Sequence, residues 1–292
     1  MRFRVLATTL VLALGLSGCA DASSPGGGDA AIDHPTAPDQ PILKITFSGG
    51  FVPVEYLYTS FPQFALYGDG TLVVPGAQIE IYPGPALPAV VGRTVSEDGI
   101  QAILRAALDA GLDRDGDYSD LGRMGIADAS TTVFELTAGG QTHRVTAYAL
   151  GLEGEQQPGQ PTDVWEMRRS LQRFVTQLGD LASFVPAASL GDEHPYEAAS
   201  AQLLVRGYRG DDQLPQEPIA WPLTAPLQEL GEPAAMLGDG TRCGVVRGDE
   251  WATVRTLAEQ ANQLTPWTSA RERFAIIFRP LLPDEPGCTP PE

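Results

Sequence analysis

Asp113, Asp115, Asp117 and Asp120 lie close together in the stretch DRDGDYSD, and closely spaced carboxylates of this kind are the oxygen donors that calcium takes. A calcium loop of the EF-hand type beginning at Asp113 would need glycine at its sixth position and glutamate at its twelfth. This chain has Tyr118 and Met124 there. The favoured reading is a solvated acidic turn, with an irregular calcium site as the alternative, and no metal is assigned. Nucleophilic hydrolysis needs Ser or Cys beside a histidine oriented by a carboxylate. No G-x-S-x-G elbow occurs, and His34, His143 and His194 fall in separate segments. Glycoside hydrolysis asks only for two carboxylates at a defined separation. With 37 acidic residues present, no pair can be singled out and no catalytic residue is assigned. Neither a phosphate-cradling loop nor a dinucleotide glycine motif stands at a strand-to-helix junction, so no cofactor is expected.

Two further residue types could form a site. Trp165 and Trp251 fall within helical patterns, where core packing is the commoner use. Trp221 and Trp267 sit in Pro-flanked loops and are the better candidates to line a ligand groove. Cys243 and Cys288, an even pair separated by 45 residues, are expected to form one disulfide in an exported chain. Closing such a loop is worth roughly 3 to 4 kcal/mol in the chain-entropy model.

The elements that must position these groups follow from hydrophobic period and turn chemistry. ILKITF reads as a strand, and FALYGDGTLVV as a hairpin about Gly68-Asp69-Gly70, because Asp-Gly supplies positive φ. Ile100, Ile103, Leu104, Ala107 and Leu108 share one helical face between a cap at Ser96 and a stop at Gly111. TTVFELTAGGQTHRVTAYAL is a second hairpin, and a second amphipathic helix begins near Thr162. After a loop over VPAASLGDEHPYEA, strands are expected at AQLLVRGY, PIAWPL, TRCGVVRG and RFAIIFRPLL, with a helix opened by Asp249. The fold class expected is α+β, with two small antiparallel or mixed β-sheets each covered by helices. Residues 42–185 form the first α+β unit and 197–288 the second.

At the N-terminus, Arg2 and Arg4 precede an apolar run from Val5 to Leu16. It is too short for the roughly 20 residues that span a bilayer, so it reads as an export signal. Leu16, Ser17, Gly18 and Cys19 resemble the lipobox of bacterial lipoproteins. That resemblance implies a signal peptide over 1–18, acylation of Cys19 and an anchor that needs no transmembrane helix. The Gly- and Pro-rich segment 19–41 reads as a flexible tether. LYGDGT and LLPDE resemble secreted lipoproteins of high-GC bacteria, a likeness that implies location alone.

Loss of Arg2 and Arg4 with the signal leaves 17 basic against 37 acidic residues, a net charge of −20. Nucleic acid is excluded as a partner, because it requires a basic footprint. The expected partners are the membrane, through the lipid anchor, and a cationic envelope protein. The functional reading is a lipid-anchored protein on the outer face of a bacterial membrane, acting as a nonenzymatic protein- or ligand-binding module. The alternative is a glycosidase-like extracytoplasmic hydrolase using paired carboxylates.

Overall fold

The runs of alternating apolar residues assemble into two sheets. The computed structural model describes residues 30–152, 154–210, 213–238 and 240–289. In the first sheet, β1 (Pro41–Ser48), β2 (Phe64–Tyr67), β3 (Thr71–Pro75), β4 (Val90–Thr94), β5 (Gly116–Asp117), β6 (Thr131–Ala138), β7 (Gln141–Tyr148) and β8 (His194–Pro195) run in the order β5-β7-β6-β1-β2-β3-β4-β8. β5 pairs with β7 in parallel and the other described pairings are antiparallel. The second sheet holds β9 (Ser200–Gly207), β10 (Ile219–Ala220), β11 (Glu232–Pro233), β12 (Arg242–Arg247), β13 (Trp267–Ser269) and β14 (Glu272–Pro280), in the order β10-β13-β14-β9-β12-β11. Its one described parallel pair is β10 with β13. The described helices are α1 (Val54–Thr59), α2 (Glu97–Asp109), α3 (Thr162–Leu178) and α4 (Gly248–Ala258). The architecture is α+β with two mixed sheets.

Strand alternation divides the first sheet into two faces. Leu43 and Ile45 of β1, Leu66 of β2 and Phe134 of β6 share a buried cluster with Ile103 and Leu104 of α2 and Phe174 of α3. On the opposite face Ala65, Tyr67, Val73 and Val90 cluster with Leu282, which follows β14. The turn between β2 and β3 is closed by the Gly70 N–H bonding Tyr67 O at 3.0 Å. Gly70 has φ +84°, and a Cβ there would lie 2.2 Å from Val95 O. A side chain would both strain the turn and break its seat against the end of β4.

In the second sheet, Leu203, Val205 and Phe278 cluster with Trp251 and Val254 of α4. Leu204 and Ile277, on the other face, meet Tyr58 of α1 and the cysteines. Cys243 and Cys288 are joined with S–S 2.08 Å, fixing the segment after β14 to β12. The described residues from Ile32 to Thr289 belong to one compact unit.

Several local expectations change. Ile32 to Gln40, read from composition as part of the tether, is bonded to the body: Gln101 exchanges two 2.8 Å hydrogen bonds with the Ile32 backbone, and the Gly139 N–H donates to Asp33 O. PIAWPL contributes only the two residues of β10. The loop after α3 returns an edge strand, β8, to the first sheet. α1 gave no periodic signal because six residues between Pro53 and Ser60 make under two turns.

Candidate functional site

The strand alternation that buries Leu43 and Ile45 turns Lys44, the only lysine of the chain, toward the opposite face. There the segment after β14 crosses the sheet. Lys44 Nζ donates to Asp284 Oδ2 at 2.8 Å and lies 3.8 Å from Glu285 Oε1. The Tyr67 hydroxyl donates to Asp284 Oδ1 at 2.7 Å. Arg279, the penultimate residue of β14, forks onto Glu285 with bonds of 2.6 and 2.8 Å, while its Nε–H donates to Ser60 O at 3.0 Å. The Arg279 guanidinium also stacks 4.7 Å from the centroid of the Phe61 ring. Two cations and two carboxylates thus form a charge-balanced, largely buried network joining both sheets. Burial, reinforced by the Asp284 charge, drives the Tyr67 hydroxyl far above its ordinary pKa. Burial and the Glu285 and Asp284 charges push Tyr196 up to about 12.

A cavity of about 340 Å³ opens beside this network. Lys44, Arg279 and Asp284 form part of its polar wall, and Phe47, Tyr56 and Phe61 supply apolar surface. Phe47 and Tyr56 are 40% and 47% exposed. Its size falls within the range of small-molecule sites, as does its combination of apolar walls with a few fixed polar groups. Gln202 spans the floor: its amide N–H donates to Tyr58 O at 2.8 Å and its carbonyl accepts from the Cys288 N–H. The disulfide thereby helps fix the segment that carries Asp284 and Glu285.

A wider recess of about 670 Å³ includes Glu193, His194, Glu197, Arg255 and Glu259. Among the described residues, no group of three His, Cys, Asp or Glu side chains is placed to hold a metal ion. Arg255 and Glu259 pair at 3.5 Å, and His194 Nδ1 lies 3.0 Å from Pro195 O. The recess has no interlocked polar network comparable to that beside Lys44.

The aromatic groove expected of Trp221 and Trp267 is not formed. The two indoles are 8% and 1% exposed and pack edge to face with centroids 6.1 Å apart, inside the core beneath the second sheet. Proline-flanked positions suggested loops, but β10 and β13 pair through these segments and draw both rings inward. Asp113 pairs with its neighbour Arg114. Asp115, Asp117 and Asp120 spend oxygens on nearby backbone and hydroxyl groups. His34 bonds Glu97 at 3.1 Å, and His143 stands 3.8 Å from Asp115. Cys19 lies outside the described residues, and among those described no helix is long and apolar enough to cross a membrane.

Sequence reasoning missed Lys44, Tyr67, Arg279, Asp284 and Glu285 as a group. The signals were the chain's single lysine within a largely apolar strand and the strings LYGDGT and LLPDE, which carry three of the five. No protein-family model matches the chain, and comparison with curated proteins and with solved structures finds no match.

Proposed function

We propose that the protein is a lipid-anchored extracytoplasmic lipoprotein of the outer face of a bacterial membrane, working as a nonenzymatic binding module whose ligand enters the cavity beside Lys44. The signal segment and lipobox support acylation at Cys19. Two sheets, each shielded by helices on one face, supply a rigid support, and the acidic exterior suits a cationic envelope protein.

The observation that carries the reading is the closure of the ion network. Asp284 is engaged by Lys44 and Tyr67, and Glu285 by Arg279 and the Leu282 N–H. A general acid or base must exchange a proton with substrate at hydrogen-bond reach. These carboxylates are instead committed to holding the wall in place, as a preformed binding surface requires.

Metabolic fatty-acid labelling tests the anchor: label is expected on the wild type and lost in Cys19→Ser, and equal labelling refutes it. For the cavity, wild type and the rim variant Phe47→Ala/Tyr56→Ala are compared for retention of solubilised envelope components. The variant should lose what the wild type retains, and identical retention overturns the assignment. Release of reducing sugar from envelope polysaccharide by the wild type would establish the hydrolase instead.

A further inference from the structure

Resting on the reading of this cavity as a binding site, we infer that its ligand is neutral and polyhydroxylated, a short carbohydrate or the end of a longer one. The charges inside the wall already cancel. Lys44, Arg279, Asp284 and Glu285 have side chains 11%, 9%, 21% and 17% exposed, so a ligand with net charge would add an unmatched charge to a partly dehydrated site. The negative exterior adds a long-range penalty for an anion.

A wholly apolar ligand is excluded by the opposite argument. An ammonium offers three donors and a guanidinium five. Three N–H groups of Arg279 bond Ser60 and Glu285, and Lys44 holds Asp284. The remaining donors, and the second lone pairs of the carboxylates, would lose water without replacement, which is unfavourable for each buried group. The ligand must therefore carry donors and acceptors together without net charge. It must also present an apolar face to the half-exposed rings of Phe47 and Tyr56. Hydroxyl groups around a ring with a C–H face meet all of these conditions.

The single lysine gives a direct readout. The full lipidated chain in detergent is treated with an acetylating ester, which forms an amide at Lys44 Nζ and releases its alcohol. The rate of modification at Lys44 is followed by peptide mass. Probes are neutral hexose and N-acetylhexosamine tetrasaccharides, inorganic phosphate, spermidine and decanoate. A neutral saccharide is expected to slow acetylation about tenfold at ten times its Kd, with protection weakened in Tyr56→Ala, whereas the other probes leave the rate unchanged. Protection by phosphate, spermidine or decanoate, with none by a saccharide, overturns the carbohydrate assignment while leaving the cavity a ligand site. No protection by any probe overturns both.

Discussion

Lys44 Nζ and Asp284 Oδ2 meet at 2.8 Å across 240 residues of chain, joining the second face of β1 to the segment that leaves β14. Removing the lysine leaves Asp284 with the Tyr67 hydroxyl and an uncompensated charge. Lys44→Met is expected to destabilise the fold by on the order of 2 kcal/mol, between the values for exposed and fully buried pairs. Urea unfolding of Lys44→Met, Asp284→Asn and the double variant provides the check. The double variant should lose clearly less than the sum of the single losses, and strict additivity would show that the pair is not coupled.

The same network makes stability sensitive to alkali. In the unfolded chain tyrosines ionise near pH 10. In the folded chain burial, followed by the Asp284 charge, holds the Tyr67 proton well beyond that, and Tyr196 titrates at about 12. Above about pH 10 the unfolded state therefore binds fewer protons than the folded state, and the free energy of unfolding falls as pH rises. This contribution is complete below pH 10 and, for Tyr196, is lost through about pH 12. Urea midpoints over that interval should fall more steeply for wild type than for Tyr67→Phe/Tyr196→Phe. Equal slopes would exclude these two phenols as the cause.

What was legible in the sequence was local. β1, the hairpins about Gly70 and Gly139-Gly140, and α2, α3 and α4 could be read because each repeats its period over enough residues or carries a glycine turn. The network could not be read, because its members approach only once β1 lies beside β2 and the end of β14 crosses both. Tyr67 and Asp284 stand in strings that were noticeable by themselves, but nothing local links a turn near the start of the chain to a loop near its end. The burial of Trp221 and Trp267 was hidden for the same reason. Flanking prolines report backbone conformation, whereas burial depends on which strand arrives alongside.

The acidic run from Asp113 to Asp120 covers the outer edge of β7. Asp115 Oδ1 accepts the Arg144 N–H at 2.7 Å, Ser119 Oγ accepts the Tyr148 N–H at 3.1 Å, and the Tyr118 N–H donates to Thr146 O at 2.8 Å. Asp117 accepts from the Ser119 and Thr146 hydroxyls, and the Ser119 bond is the main reason its carboxyl ionises below the usual range. Together these groups occupy the backbone positions another strand would use, and an unprotected edge invites strand pairing between molecules. Asp115→Ala/Ser119→Ala should remain folded but form concentration-dependent oligomers, measured by light scattering after size exclusion. A variant that stays at the wild-type mass at every concentration would remove this role.

The cations of the cavity wall are neutralised where they stand, so Lys44 and Arg279 do little to offset the acidic exterior. The net charge of −18 therefore acts outward. A macromolecular partner reached through this field should be cationic, with an association rate raised by roughly 10 to 1,000 times over an uncharged encounter. Salt removes that advantage, since the Debye length contracts from about 10 Å at 0.1 M to about 3 Å at 1 M. If the acids serve solubility alone, binding rests on the rim at Phe47 and Tyr56, and the rate is indifferent to salt. Association of a partner protein pulled down from the envelope, as distinct from the cavity's ligand, measured across this range of ionic strength, separates the two. A steep fall in association rate with little change in dissociation supports steering, whereas a neutral or acidic partner with a flat rate rules it out.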